Sequence, residues 1–303
     1  MGSARSRTWL AELALVGVVA VWGWTFVTVK DAIGVLPEFT FNALRFTVAA
    51  LAFLPLLLRA RPRDDEPSRA TDRRGVLFAG ILAGTILAIG YALQTLGLER
   101  TSAARSGVIT GISVALVPIG VGVLFRERVR RAEWTGVCLA LLGFLFLGTG
   151  KEPLGSGDLL VLGCAVAFAA HVIALDRLAP GRAVLPLAAT QVWTAALLFT
   201  AVALWRDRGE WPSGGLSAIP IEVWGAVALT GIVATTLAFS VQTRAQQVST
   251  PTRIALILAL EPVFAAVAAR IAHDEEIGVE KWVGGGLVIA GMLWAELAPR
   301  RRG

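Results

Sequence analysis

Several ionisable and amide side chains lie inside long apolar stretches of this sequence. Arg45 falls about seven residues into the stretch 38–58, and Asn42 precedes it by one turn on the same helical face. His171 and Glu261 fall inside two other apolar stretches. In hydrocarbon such groups are costly, and they usually face a protein interior or a water-filled cavity. These residues therefore predict recognition of a polar molecule inside an apolar bundle.

Arg45 has two interpretations. A planar guanidinium can donate two parallel hydrogen bonds to a carboxylate, so Arg45 and Asn42 could hold a carboxylate-bearing ligand. Alternatively, the long side chain extends toward the nearer membrane interface, or it pairs structurally with a carboxylate such as Glu261. The sequence leaves both open.

Two helical faces carry matching polar stripes. The first stripe holds Tyr91, Gln94 and Thr95, and the second holds Phe239, Gln242 and Thr243, with Thr235 and Thr236 one turn earlier. Facing each other across an axis, the stripes would line a cavity and form hydrogen bonds with a polar metabolite. The alternative is adhesion between helices, for which Gln and Thr are commonly used in bilayers.

Tryptophan and threonine residues add an aromatic element to this cavity. Trp22, Trp24 and Thr25 lie in the first apolar stretch, and Trp193 lies in a later one. Trp residues at the ends of membrane spans usually form an interfacial belt. Trp22, Trp24 and Trp193 lie deeper within their stretches, which favours a position on the cavity wall.

His171 and Glu261 are the candidates for proton chemistry. A histidine titrates near neutral pH, so His171 indicates proton coupling, although a lone helical histidine is also commonly a structural residue. Glu261 precedes Pro262, which lacks a backbone donor and leaves a carbonyl group free. Pro262 is therefore a predicted hinge.

The composition predicts an all-α membrane protein. Hydrophobic residues make up 55% of the 303-residue chain, and the mean hydropathy is +0.68, both too apolar for a water-soluble protein of this length. Ten stretches are long enough to cross about 30 Å of hydrocarbon. They lie near 10–29, 38–58, 75–97, 103–125, 133–149, 157–175, 185–205, 220–241, 253–272 and 281–298.

The chain repeats itself, which predicts two domains, residues 1–150 and 151–303. Late in the halves the offset is 148, and it relates Gln94 to Gln242 and Arg105 to Arg253. Earlier the offset is 146, which places Gln191 opposite Arg45 and makes a site built on Arg45 asymmetric. Five spans in each half is an odd number, so the halves enter the bilayer from opposite sides. Inverted repeats of this kind surround a central cavity in secondary transporters.

The positive charges indicate topology and exclude a nucleic-acid partner. The net charge is +6, but the arginines form short clusters between apolar spans. Loops on the N-terminal side hold 19 of the 28 Lys and Arg residues, and the opposite loops hold eight. Cytoplasmic loops carry the excess of positive charge, so both termini are expected in the cytoplasm.

The sequence contains no motif of an enzyme, a metal site or a cofactor site. It has two histidines and two cysteines, and it lacks a Gly-x-Ser-x-Gly elbow, a His-Glu-x-x-His pair and a nucleotide-binding loop. An intramembrane enzyme, a flippase for a lipid-linked substrate or a simple channel remain the alternatives to a transporter.

Several short motifs resemble the EamA family of the drug/metabolite transporter superfamily. Trp22-Gly23 matches the aromatic-Gly pair of the first helix, and Glu261-Pro262 lies in the ninth. Two further matches follow the fourth and ninth spans: Arg126-Glu127-Arg128 with Glu133-Trp134-x-Gly136, and Glu275-Glu276 with Lys281-Trp282-x-Gly284. The resemblance covers about residues 10 to 298. It implies export of amino acids and other small metabolites through the cytoplasmic membrane by alternating access.

The topology can be tested at the linker 59–74. With Ser68→Cys as the reporter, a membrane-impermeant maleimide should label the protein in inside-out vesicles and leave it unlabelled in intact cells. Labelling of position 68 from outside intact cells would contradict the orientation that the 19-to-8 distribution of positive charge predicts.

Overall fold

A computed structural model describes residues 2–59, 73–147, 153–210, 215–273 and 278–297. Most of the predicted linker 59–74 and the pair Glu275-Glu276 lie outside these ranges. Most of the described residues are helical and none of them forms a strand, which confirms the all-α fold.

Thirteen α-helices, one 3-10 turn and one π-helical segment follow one another along the described chain. They are α1 (Gly2–Ile33), α2 (Glu38–Arg59), α3 (Arg73–Arg100), α4 (Ala103–Gly111), α5 (Ser113–Phe125), α6 (Arg131–Leu147), α7 (Ser156–Leu178), α8 (Val184–Arg206), the 3-10 turn Gly215–Ala218, α9 (Ile221–Ala228), the π segment Leu229–Leu237, α10 (Ala238–Gln246), α11 (Pro251–Leu258), α12 (Glu261–His273) and α13 (Val279–Leu297).

Within the described ranges, eight segments are long and apolar enough to cross a membrane. They correspond to all the predicted spans except the fifth and the tenth. Helix α6 has only 17 residues, fewer than the roughly 20 that a bilayer requires. Helix α13 has 19 residues, and Glu280, Lys281 and Glu296 interrupt its apolar character. Membrane crossing by these two helices stays a prediction.

Helices α6 and α13 cross with their backbones in contact at two points. A Cβ atom added to Gly136 would lie 2.6 Å from the carbonyl oxygen of Gly291, and one added to Gly143 would lie 2.5 Å from that of Gly284. The earlier glycine of α6 faces the later glycine of α13, so the helices run antiparallel. Small residues allow this close approach, which stabilises helix pairs where a hydrophobic driving force is absent.

The fourth and ninth predicted spans are each broken into two half-helices. The chain interrupts the helix between Gly111 and Ser113 in one case, and between Leu258 and Glu261 in the other. Both pairs begin with a hydroxyl cap, since Ser102 and Thr250 accept hydrogen bonds from the backbone amides three residues on, at 3.2 and 3.4 Å. The second break directly precedes Pro262, the predicted hinge.

The eighth predicted span contains a π-helical segment that faces α2. At Gly231 an added Cβ atom would lie 2.7 Å from the carbonyl oxygen of Arg45, so the two backbones approach closely there. Thr236 donates a hydrogen bond of 3.0 Å to the Ala49 carbonyl of α2. Insertion of π turns inside a helix is rare and frequently accompanies functional sites.

The helix crossing can be tested with a matched pair of glycine variants. Gly143→Ala places a methyl group against the backbone of α13, so the helices must separate, and we expect a loss of about 1–3 kcal/mol of stability from overpacking. Gly286→Ala in α13 adds the same methyl group where no atom lies within 4 Å. Thermal unfolding of the purified proteins should show a lower Tm for Gly143→Ala alone; equal Tm values would contradict the close crossing.

Candidate functional site

A small cavity of about 50 Å³ lies between the two halves of the chain. Twelve of its lining residues form six pairs related by the offsets of the sequence repeat. The offset 146 relates Trp22 to Phe168 and Thr25 to His171, and the offset 148 relates Tyr91 to Phe239, Gln94 to Gln242, Thr110 to Leu258 and Ser113 to Glu261. Leu87 and Val172 complete the wall. Each half of the chain therefore contributes the same positions to one cavity.

The breaks in the two interrupted spans supply part of this wall. Thr110 and Ser113 lie on either side of the first break, and Leu258 and Glu261 lie on either side of the second. Glu261 begins α12, where the positive end of the helix dipole favours a carboxylate. No described residue forms a hydrogen bond or an ion pair with this carboxylate. Its oxygens are available to a ligand.

Four aromatic rings form a continuous surface in the cavity. Ring centroids lie 5.6 Å apart for Trp22 and Phe239, 5.3 Å apart for Tyr91 and Phe168, and 6.4 Å apart for Tyr91 and Phe239. The Trp22 indole donates a hydrogen bond of 2.7 Å to the Ala234 carbonyl, which fixes the ring between α1 and the π segment. Such rings offer apolar contact, and their faces attract cations.

The amide side chains of the cavity differ in how well they are paired. Gln94 donates to the Thr110 hydroxyl at 3.5 Å. Gln242 is 3% exposed, and its Oε1 atom accepts no hydrogen bond from a described residue. An unpaired buried oxygen costs free energy, so a donor on a ligand would be bound favourably at Gln242.

Two buried residues orient His171. Its Nε2 atom lies 2.9 Å from Oε1 of Gln191, and the Gln191 amide nitrogen donates to the Thr243 hydroxyl at 3.4 Å. Gln191 thus lies behind the cavity wall and contacts it through the histidine. In the tautomer with a proton on Nε2, His171 donates a hydrogen bond to Gln191, and its Nδ1 atom is an acceptor.

Arg45 and Asn42 lie outside the cavity wall. Asn42 donates a hydrogen bond of 2.9 Å to Thr95, which fastens α2 to α3. Arg45 is 2% exposed, donates to Thr235 at 3.4 Å, and places its guanidinium carbon 4.7 Å from the centroid of the Tyr91 ring. None of the described carboxylates forms an ion pair with Arg45. The Tyr91 ring therefore separates the guanidinium from the cavity.

Three further predicted site residues also lie away from the cavity. Trp24 is 38% exposed on the outside of the bundle. Trp193 donates to the Ala50 carbonyl at 3.0 Å, and Thr236 donates to the neighbouring Ala49 carbonyl. Both hold other helices against α2. Their contact with a ligand stays a prediction, as it does for Arg45, Asn42 and Gln191.

Six cavity residues were not predicted from the sequence: Leu87, Thr110, Ser113, Phe168, Val172 and Leu258. Two of them were within reach, because the repeat offsets lead from the predicted Trp22 to Phe168 and from the predicted Glu261 to Ser113. Thr110 and Leu258 are related to each other by the offset 148, but neither was a predicted site residue. Leu87 and Val172 are ordinary apolar residues of long helices and carry no signal. Among the described residues, no three His, Cys, Asp or Glu side chains are grouped as a metal would require.

Comparison with known proteins gives consistent results. A family model described as "EamA-like transporter family" matches the chain twice, at residues 9–149 and 155–296. An "Uncharacterized transporter" of Archaeoglobus fulgidus is 29% identical over 95% of this chain and 86% of its own length. The "Uncharacterized transporter YyaM" of Bacillus subtilis is 24% identical over 93% of this chain and 92% of its own.

A solved structure shares the fold. It is described as "Crystal structure of protein", and it superposes with a TM-score of 0.74 at 20% identity over 95% of this chain and 99% of the other. The two family-model matches span nearly all of the sequence, and the eight apolar helices agree with a multi-pass membrane protein. The chain belongs to the EamA-like transporter family.

Proposed function

We propose that this protein is a secondary transporter that exports small metabolites such as amino acids across the cytoplasmic membrane by alternating access. The observation that carries this proposal is the cavity between the halves, whose wall consists of residue pairs related by the sequence repeat. In secondary transporters, substrate sites lie at the interface of structural repeats and include the ends of discontinuous helices. Both features are present around Glu261 and Ser113.

The proposed architecture has ten transmembrane helices in two inverted five-helix repeats, residues 1–150 and 151–303, with both termini in the cytoplasm. The antiparallel crossing of α6 and α13 supports it, because two copies of one helix related by inversion must run in opposite directions. The two separate matches of the family model support the same division.

The composition of the cavity supports a small polar metabolite with an apolar part. Gln94, Gln242 and Ser113 offer hydrogen bonds, four rings offer apolar contact, and the Glu261 carboxyl offers oxygen acceptors to the ammonium group of an amino acid. The cavity is small, at about 50 Å³, and alternating access would widen it for a metabolite.

Proton coupling is a further part of the proposal. His171 and Glu261 are cavity side chains that can bind and release a proton, and both come from the second half of the chain. If one of these side chains binds a proton as the substrate leaves, the movement of the proton is coupled to the movement of the substrate.

Two glutamine variants test the shared cavity. Each of Gln94→Leu and Gln242→Leu should remove one hydrogen bond of about 0.5–1.5 kcal/mol and weaken the Kd of a confirmed substrate by no more than roughly tenfold. The double variant should show non-additivity, because both changes alter one cavity. Binding to the purified proteins is the measurement, with the substrate chosen from amino acids, nucleobases and small cations by counterflow in proteoliposomes.

A third glutamine provides the control for this experiment. Gln247 donates to the carbonyl oxygens of Ala179 and Arg182, away from the cavity, so Gln247→Leu should reduce protein abundance and leave the Kd unchanged. If Gln94→Leu and Gln242→Leu behave in the same way as Gln247→Leu, the two glutamines only hold helices together. Absence of counterflow with every compound would contradict transport itself.

Arg45 tests whether the binding region extends behind Tyr91. If a widened cavity brings a substrate carboxylate to the guanidinium, Arg45→Lys should weaken transport several-fold, because an ammonium lacks the bidentate geometry. Arg45→Gln should nearly abolish transport, since it also removes the charge. Transport rates at equal membrane abundance are the measurement. Normal rates for both variants would restrict Arg45 to packing beneath the tyrosine ring.

A further inference from the structure

Two groups of three residues repeat each other outside the cavity. In the first, which we call the Glu12 latch, the carboxylate of Glu12 lies 3.3 Å from the Arg253 guanidinium and accepts a hydrogen bond of 2.6 Å from Ser249. In the second, the Asp158 latch, the carboxylate of Asp158 lies 2.8 Å from the guanidinium of Arg105 and accepts a hydrogen bond of 2.9 Å from Thr101.

The repeat relates the two latches residue by residue. The offset 146 relates Glu12 to Asp158, and the offset 148 relates Arg105 to Arg253 and Thr101 to Ser249. The Glu12 latch joins α1, in the first half, to α11 in the second. The Asp158 latch joins α7, in the second half, to α4 in the first. Both latches therefore connect one half of the chain to the other through equivalent helices.

The latches lie at opposite ends of the bundle. Lys30, near the C-terminal end of α1, donates hydrogen bonds to the carbonyl oxygens of Glu99 and Thr101, at 3.2 and 3.1 Å, and so marks the end that holds the Asp158 latch. Glu12 precedes Lys30 by 18 residues on the same helix, which corresponds to about 27 Å at 1.5 Å per residue. Trp22, on the cavity wall, lies between them.

Each latch acts on a half-helix whose other end lines the cavity. Helix α4 carries Arg105 near its start and Thr110 near its end, and α11 carries Arg253 near its start and Leu258 at its end. Five residues separate the arginine from the cavity residue in both, about 8 Å along a helix. A movement of either half-helix would therefore displace a residue of the cavity wall.

The latches differ in their exposure to solvent. The side chains of Glu12 and Arg253 are each 5% exposed, whereas Arg105 is 19% exposed and lines a surface cleft of about 370 Å³. Both ion pairs are formed in this conformation, and the cavity lies between them.

We propose that the two latches are the gates of the transporter, and that each closes one end of the central cavity. The inference rests on the proposed transport function and adds its control: the Glu12 latch opens the end that the topology assigns to the cytoplasm, and the Asp158 latch opens the opposite end. A buried ion pair is costly to leave half-broken, so each gate favours either a fully closed or a fully separated state. Glu12, Arg253, Asp158 and Arg105 are then positioning residues of the transport cycle.

A reporter cysteine on the cavity wall tests the gates. In a background with Cys138→Ala and Cys164→Ala, Ser113→Cys is labelled with a membrane-impermeant maleimide in right-side-out and inside-out vesicles. Glu12→Gln keeps the shape of the side chain and removes its charge, so the rate from the Glu12 end should rise roughly three- to tenfold relative to the rate from the other end. Asp158→Asn should shift the ratio in the opposite direction by a similar factor.

Two sets of variants separate gating from a loss of structure. Glu127→Gln breaks the exposed ion pair with Arg177, whose 2.7 Å contact lowers the pKa of the Glu127 carboxyl, and it should leave the labelling ratio unchanged. Ser249→Ala and Thr101→Val remove only the hydroxyl contacts and should shift the ratio in the same directions by smaller factors. If Glu12→Gln or Asp158→Asn fails to fold, the labelling ratios of Ser249→Ala and Thr101→Val still test the proposal.

The outcomes distinguish the gates from transport itself. If folded Glu12→Gln and Asp158→Asn leave the ratio unchanged, or shift it in one direction, the gating proposal is wrong, even when counterflow is normal. If Glu12→Gln and Asp158→Asn shift the ratio in opposite directions, the gating proposal is supported, whether or not a transported compound has been found. An exchanged ion pair, E12R with R253E, should return the ratio to the wild-type value.

Discussion

Everything in this structure depends on the requirement that a polar group inside hydrocarbon finds a partner within the protein. Most hydroxyl groups meet it locally: Thr85, Thr190 and Ser240 each donate to the carbonyl oxygen four residues earlier in their own helix. Asn42 and Gln191 meet it between helices, through Thr95 and Thr243. Some buried polar atoms lack such a partner, among them the Asn42 Oδ1 and Gln242 Oε1 atoms. Glu261 also has no hydrogen-bond partner among the described residues, and both it and Gln242 lie on the cavity wall.

Some paired positions of the repeat give the cavity similar side chains in both halves. The pairs that differ give the cavity its distinct chemical groups. Paired cavity positions such as Gln94 and Gln242 carry the same group, and Tyr91 and Phe239 both carry rings. Ser113 opposite Glu261 does not follow this rule, nor does Thr25 opposite His171. A perfectly symmetric cavity would bind a ligand equally in two orientations. The Glu261 carboxyl and the His171 imidazole have no chemical counterpart at Ser113 and Thr25, so the cavity is asymmetric.

The sequence was sufficient to predict the helical fold, because apolar stretches of about 20 residues leave the backbone one way to satisfy its hydrogen bonds. It also predicted eight cavity residues, among them Trp22, Gln94 and Glu261, because polar and aromatic side chains stand out in such stretches. It did not predict the position of Arg45 behind Tyr91. There Arg45 donates a hydrogen bond to Thr235 of the π segment, and the apolar pattern of the sequence does not distinguish a π segment from an α-helix.

The glycine crossing of α6 and α13 limits how far the two halves can diverge. Each of the four glycines contacts the backbone of the other half. A side chain added at Gly136 or Gly284 would collide with a backbone carbonyl group, which no substitution can remove. Two side chains in contact can exchange volume through paired mutations, but a side chain and a backbone cannot. The cavity wall can therefore differ between the two halves, as it does at Ser113 and Glu261, without a change at this crossing.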